Sequence, residues 1–538
     1  MTRNFRWWPG ILFLAIGLVV AFLLGRPLVA LPWPAASGPA GSEQPAVMSP
    51  PAAAASSLAA DDTPTPTLTP ETPTTTPTAT ATPTPTPTLE ASTPTATATV
   101  TPTQVLAYLP ILMHNYPPTA TPPPPVYGMH LEVFLTDTQT ITYAQAAGMH
   151  WMHTRIMWAD VEPANTTPEH YNWADYDARL QAAGNAGFHN IAILLYNPSW
   201  AATLPGGNID KVPLSEFTEF VAATVSRYKD PPYNVKYWEI YNEPDNTWLK
   251  YAQLDWWGNW GHDAAGYVEI LQAAYTTIKS IDPQAQVLLG GLAYDWFTDD
   301  STPGPFARSF LADVLALGGG DYFDILSFHY YPVFRWRWDS QGPGLRGKAN
   351  ELRETMRIHG VVKPLVVTET GWPYDSMHWG ITDPEHVLQP RYVAKPYIEA
   401  LMMGDMPFVI WFPFRDHDPG YTNGFMDYYG NVRQSYQALL TLTDQLAGMS
   451  YERLLLPEEG EADDVEGYLF AGVGGQPKLY TVWTLTDTPR QVSVPAQAVQ
   501  RTDHLGTTTI LQDGADGAVD GYVRLTIGPD PVFLRVVQ

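Results

Sequence analysis

Between residues 126 and 447 the chain alternates eight times between a short run rich in β-branched and aromatic residues and a longer amphipathic stretch. A parallel strand can be reached only by a connection that crosses back over the sheet, so this alternation predicts βα units and a parallel sheet. The strand-like runs fall at 128–134, 151–157, 190–196, 235–241, 286–292, 325–329, 365–368 and 408–412. The clearest helix is 215–228. There Phe217, Phe220, Val221, Val225 and Tyr228 recur at helical spacing behind Ser215 as the expected cap. Eight strands with intervening helices predict a (β/α)8 barrel whose chemistry sits at the C-terminal strand ends.

Two of those strand ends carry a carboxylic acid. The run Tyr237-Trp-Glu-Ile-Tyr-Asn-Glu-Pro-Asp245 stops at Pro244, which cannot donate to a ladder, and presents Asn242 and Glu243 to the loop. The run Leu365-Val-Val-Thr-Glu-Thr-Gly-Trp-Pro373 ends in Glu369. By the period of two, Glu369 is expected on the face of Val367 and Leu365, pointing into the barrel mouth. Two glutamates at the ends of two different strands are what retaining glycoside hydrolysis requires, one as acid/base and one as nucleophile. Close carboxyls titrate as a unit, which supplies an acid and a nucleophile at one pH.

Asn242-Glu243-Pro244 after one strand and Thr368-Glu369-Thr370-Gly371-Trp372 after a later one resemble the large clan of retaining glycosidases built on (β/α)8 barrels. The resemblance covers roughly 126–445. It implies that Glu243, after the fourth strand, is the acid/base and that Glu369, on the seventh, is the nucleophile. It further implies that Asn242 binds the sugar 2-hydroxyl and that Arg155, near the end of the second strand, lies beside the nucleophile. An internal salt bridge between Arg155 and Glu239 is the alternative reading. His329 and Tyr331, at the end of the sixth strand, match the clan's His-x-Tyr pair that touches substrate and nucleophile. Trp411, on the eighth, corresponds to its sugar-stacking platform. Trp158, Trp200 and Trp372 follow strands and are candidates for sugar subsites; core packing is the competing role for each tryptophan. The Thr-Glu-Thr-Gly-Trp-Pro run points to β-1,3-glucanases, whereas Trp-Glu-Ile-Tyr-Asn-Glu-Pro points to β-xylosidases, so the sugar stays open.

After Gly448 an acidic stretch at 457–467 precedes short alternating runs at 468–472, 478–484, 490–494, 508–512, 522–527 and 532–536. These predict a small β-sandwich over 448–538. At the other end, Arg3 and Arg6 precede an unbroken apolar run at 11–24. Extended to 7–25, it approaches the roughly 20 residues that span a bilayer. The flanking charge puts the N-terminus inside and the remainder outside. Residues 1–30 are therefore read as a signal-anchor tethering the protein to the membrane, or as a cleaved signal peptide of a secreted one. Residues 31–125 are a Pro/Thr/Ala-rich linker with Thr-Pro repeats at 61–103, which at about 3.1 Å per residue reach on the order of 130 Å. An apolar island at 105–116 interrupts the linker.

A net charge of −26 excludes a nucleic-acid surface, which needs clustered Lys and Arg, and leaves a neutral carbohydrate as the expected partner. With no cysteine, disulfides and thiolate chemistry are excluded. No metal motif or cofactor signature is present; His150, His153 and His114 lack a carboxylate at ligand spacing, and Asp416-His417-Asp418 reads as a loop. Two other functions share these residues: a non-catalytic carbohydrate-binding protein on a stalk, and a transglycosylase.

Overall fold

The computed structural model describes residues 126–131, 134–247, 260–301, 303–373, 386–460 and 462–537. The segment read as signal or anchor, the linker with its apolar island, and much of the loops after the fourth and seventh strands lie outside the described residues. Among the described residues no helix is long and apolar enough to cross a membrane.

Eight parallel strands close into a barrel in sequence order: β1 Tyr127–His130, β2 Trp151–Met157, β3 His189–Leu195, β4 Tyr237–Asn242, β5 Gln286–Leu292, β6 Ile325–Tyr330, β7 Leu365–Thr370 and β8 Val409–Trp411. Closure is by Tyr127, Gly128 and Met129 of β1 against Val409, Ile410 and Trp411 of β8. The strand period divides the side chains into two layers. Trp151, Ile191, Tyr237, Leu288, Ile325, Val366, Phe408 and Ile410 fill the barrel interior. Their neighbours Met152, Ala192, Trp238, Leu289, Leu326, Val367 and Val409 face outward and join the core shared with the helices.

The helices are α1 Thr138–Ala146, α2 Trp158–Val161, α3 Ala174–Asn185, α4 Leu214–Tyr228, α5 Ala264–Ile281, α6 Phe310–Ala316, α7 Gly344–Ile358, α8 Leu388–Met403 and α9 Gln434–Leu446. Two start at an aspartate cap: Asp137 accepts from the Thr140 N–H at 3.0 Å, and Asp263 from the Gly266 N–H at 2.9 Å. The expected Ser215 cap of α4 does not form. Pro213, with φ −60°, sets the entry instead, and Ser215 lies inside the first turn. β1 stops at His130 rather than at 134, because the chain turns from Phe134 to Asp137 to enter α1.

The C-terminal strands form a six-stranded antiparallel sheet and a two-stranded one. The larger comprises β9 Met449–Leu454, β10 Val465–Gly472, β11 Leu479–Thr484, β13 Ala498–Asp503, β14 Thr508–Gln512 and β16 Val532–Val536, in the order β14-β13-β16-β11-β10-β9. The smaller pairs β12 Arg490–Pro495 with β15 Tyr522–Ile527. Leu469, Tyr480, Val482, Val492, Val494, Val523 and Leu534 make a core between them. The opposite face of the large sheet, with Tyr468, Phe470, Leu479, Trp483 and Phe533, merges into the barrel's core. Within the acidic stretch, Glu459 accepts from both guanidinium nitrogens of Arg453 at 2.7 Å.

One helix does more than cover the sheet. Lys348 of α7 is fully buried, and its ammonium reaches the carbonyls of Ala293 at 2.6 Å and His329 at 2.7 Å and the Asp295 carboxylate at 3.0 Å. It thereby joins the ends of β5 and β6. Removing one partner of a buried pair leaves an uncompensated charge. Lys348→Met is expected to cost about 3–5 kcal/mol in chemical denaturation, and a loss below about 1 kcal/mol would show that the clamp is unimportant.

Candidate active site

Glu243 sits one residue past β4 with φ +44°, a left-handed conformation that costs a non-glycine residue on the order of 1 kcal/mol or more. Hydrogen bonds hold it there. The Glu243 N–H donates to the Gly291 carbonyl at 2.9 Å. Two residues on, buried Asp245 accepts the N–H groups of Ala293 and Tyr294 at 3.2 and 2.9 Å. The loop after β4 is thus fastened to the end of β5.

Glu369 faces the same pocket for a reason the period of two misses. Leu365 and Val367 point outward into the helix layer, and Val366 points inward. Ser327 and Phe328 of β6 pair with Val366 and Val367, but His329 pairs with Glu369, so Thr368 is an extra residue in a bulge. The bulge resets the parity. Thr368 donates to the buried Glu239 carboxylate at 3.0 Å, and Glu369 also turns inward.

His329 joins the two carboxylates. Its Nδ1 lies 2.9 Å from Glu243 Oε1 and 3.6 Å from Glu369 Oε2. Those two oxygens are therefore no further apart than the sum of the distances, about 6.5 Å. Burial pushes the imidazole below its ordinary range, against the pull of Glu369, so the ring is neutral at pH 7. The neutral ring faces both carboxyls through Nδ1. Its Nε2 is buried with no hydrogen-bond partner among the described residues, because the Gly291 backbone lies against it.

Glu369 has two further contacts. The Tyr331 hydroxyl donates to Oε2 at 2.8 Å, and an Arg155 guanidinium nitrogen lies 4.0 Å from Oε1. Arg155 thus lies beside Glu369. Glu239, its alternative partner, is held by His153 at 2.7 Å, Ser327 at 2.6 Å and Thr368. The expectation that His153 has no carboxylate partner is corrected by that contact: adjacent strands supply a neighbour that sequence spacing does not show. Among the described residues no group of three or more acidic or histidine side chains could hold a metal ion.

The electrostatics separate the two acids. Burial, and then the charge of Asp295, push the Glu243 carboxyl up to about 8, opposed by Lys348 and Arg155. It is therefore protonated at neutral pH. Asn242 is buried beside it, and its amide oxygen has no protein partner among the described residues, leaving an acceptor for a ligand.

The tryptophans are dispersed. Trp411 shares the outward face of β8 with Val409; its indole stacks on Phe425 at 4.8 Å and donates to the Asn423 carbonyl at 2.9 Å. It is not a platform in the pocket. The inward position belongs to Phe412, whose ring lies 4.6 Å from His130 and 5.4 Å from the Arg155 guanidinium. Trp158 is fully buried in α2, stacked on Phe220 and bonded to Glu162 at 2.8 Å, so it offers no face to a sugar. Trp200, half-buried, packs edge-on against Trp158 and donates to the Glu162 carbonyl. Trp372 stacks on Tyr392 at 4.1 Å; its buried indole N–H has no partner among the described residues.

The structure therefore brings Glu243, Glu369, His329, Tyr331 and Arg155 into one contact network. Sequence reasoning missed Lys348, Asp295, Gly291 and Phe412, and named Glu239 only as a partner for Arg155. Only Phe412 had a local signal, since it continues the inward alternation of Phe408 and Ile410.

No family model matches the sequence, and no curated protein matches it. Solved structures with the same fold do exist. A family 39 glycoside hydrolase from Bacteroides cellulosilyticus superposes with a TM-score of 0.57 at 19% identity, covering 77% of this chain and 81% of that one. A family 30 endoxylanase from Clostridium papyrosolvens gives 0.51 at 13%, covering 77% and 96%. A monomeric β-xylosidase from Caulobacter crescentus gives 0.51 at 15%, covering 78% and 98%. At these identities the likeness is one of fold.

A methyl group on Gly291 would sit 2.4 Å from His329 Nε2 and 2.7 Å from Thr368 Oγ1. Gly291→Ala is expected to cost about 1–3 kcal/mol in chemical denaturation. Most of that cost should vanish in a His329→Ala background; an equal cost in both backgrounds would mean that the ring is not what the glycine accommodates.

Proposed function

We propose that the protein is a retaining β-glycosidase acting on an extracellular oligo- or polysaccharide, with the barrel carried outside the cell on the Thr/Pro-rich stalk. The observation that carries this reading is the convergence of Glu243 and Glu369 on one imidazole nitrogen. Their closest-oxygen bound fits a pair placed about 5–5.5 Å apart for double displacement better than the wider inverting spacing.

In the first step Glu369 attacks the anomeric carbon as a carboxylate. The glycosidic C–O bond breaks, and the Glu243 carboxyl gives its proton to the departing oxygen. Tyr331 and Arg155 position the attacking carboxylate, and His329 fixes the acid opposite it. In the second step water attacks the same carbon from the Glu243 side, Glu243 takes its proton, and Glu369 leaves the sugar. The unpartnered Asn242 oxygen suits a sugar 2-hydroxyl. A Glu243 carboxyl held at about 8 is ready to act as an acid at neutral pH without help from solvent. The fold's occurrence in a β-xylosidase and an endoxylanase makes β-xylosides the first substrates to try.

The pH dependence tests this reading. On aryl β-glycosides kcat/KM should fall as the pH rises through about 8, where the free enzyme's Glu243 loses its proton. Because the Asp295 charge helps hold that proton, Asp295→Asn should move the alkaline limb to lower pH. No turnover on any aryl glycoside would contradict the enzyme reading. Turnover with an alkaline limb unmoved by Asp295→Asn would remove Glu243 from the acid role.

A further inference from the structure

A second polar cavity, of about 90 Å³ and open on one side, lies between α8, the segment after β6, and β11 of the sandwich. Three cations line it: Arg335, Arg391 and Lys395. Arg391 is satisfied by Asp530 at 2.6 Å and Asp487 at 3.6 Å. The other two are not. Lys395 makes no hydrogen bond or ion pair among the described residues; its ammonium lies only over the rings of Tyr392 at 5.0 Å and Trp483 at 5.5 Å. Arg335 donates to the Pro332 carbonyl at 3.5 Å but has no carboxylate within salt-bridge distance among them, and its guanidinium lies over Tyr392 at 5.7 Å.

Of the three carboxylates in the cavity wall, Asp487 faces Arg391, and the other two are held by other donors. Glu466 accepts from the Tyr468 hydroxyl and from the Trp483 indole at 3.1 Å, with Arg346 at 3.6 Å. Glu399 accepts the Arg346 N–H at 3.2 Å. Burial raises both carboxyls; the charge of Glu466 raises Glu399 further, while Arg346 and Lys395 oppose the rise at Glu466. Ordinarily a buried ammonium is paired, because an isolated charge loses its hydration without return. Here two half-buried positive side chains without a salt-bridged carboxylate face the cavity beside the rings of Tyr392 and Trp483.

We propose that this cavity binds a small anion, one bearing an oxyanion or a carboxylate, through Lys395 and Arg335. Burial pushes the Lys395 ammonium down to about 7, an effect the charge of Glu466 opposes without cancelling, and a bound anion would oppose it further. The site does not depend on glycosidase activity. Tyr392, which forms one wall, stacks on Trp372, three residues beyond Glu369, so the cavity borders the segment that carries the proposed nucleophile.

Isothermal titration of the full chain with inorganic phosphate and, separately, with glucuronate is the test, with glucose as the uncharged control. Saturable binding of either anion, weakened about 10- to 100-fold in Lys395→Met and largely kept in Lys395→Arg, is the expected result. Phosphate binding alone would identify an oxyanion site, and glucuronate binding alone a site for an acidic sugar. Because Lys395 has no ion pair to lose, Lys395→Met should melt no lower than the parent protein. Absence of saturable binding by both anions, or binding undiminished in Lys395→Met, overturns the proposal, as does an equal response to glucose.

Discussion

A single nitrogen, Nδ1 of His329, lies within reach of both Glu243 and Glu369, and the rest of the site is arranged around keeping it there. The ring is neutral because it is buried, and its other nitrogen is denied a partner by the close approach of Gly291. Its own carbonyl is gripped by Lys348, which also grips the carbonyl of Ala293 and pairs with Asp295. Two strand ends, one helix and one glycine therefore determine where an imidazole lies. That imidazole helps place the carboxyl of one strand end opposite the carboxyl of another.

Buried charge has a second role in this arrangement. Asp295 raises Glu243 and Lys348 opposes it, so the pair that braces the backbone also sets the charge environment of the acid. Burial is the larger effect, in accord with the general cost of ionising a carboxyl away from water. Beneath the pocket, Glu239 accepts from Ser327 and Thr368 and contacts His153, linking β2, β4, β6 and β7 under the two acids. The barrel interior is thus apolar at its base and hydrogen-bonded near its mouth, which lets rigid strands present charged groups without leaving them unpartnered.

The strands were legible because period and composition are local properties. Seven of the eight expected barrel runs lie within about two residues of the observed strands at each end, whereas 128–134 overshoots where the chain turns into α1. The orientation of Glu369 was not legible in the same way. Its inward turn needs the Thr368 bulge, and the bulge exists only in the register of β7 against β6. Trp411 shows the converse. Its outward face follows from the inward Phe408 and Ile410, a parity written in the sequence and outweighed by the resemblance to other barrels. Lys348 stands in a helix with Arg346, Arg353 and Arg357 and reads as one more solvated cation until the carbonyls of distant strands are seen around it. β9 and β13 escaped notice for a related reason. The residues of β9 are half-exposed on a sheet edge, and β13 carries Gln500, Arg501 and Asp503, so neither has the apolar alternation of a buried strand.

The central claim is that Glu369 forms a bond to the sugar while Glu243 manages the proton. Incubation with an activated 2-deoxy-2-fluoro-β-glycoside, followed by mass analysis of the intact protein and its peptides, tests it most directly. The account predicts one added fluoroglycosyl group, located on Glu369 in the peptide that contains Thr368 and Thr370. Label on Glu243 or on any other residue, or continued turnover of ordinary β-glycosides with no trapped sugar, would contradict it.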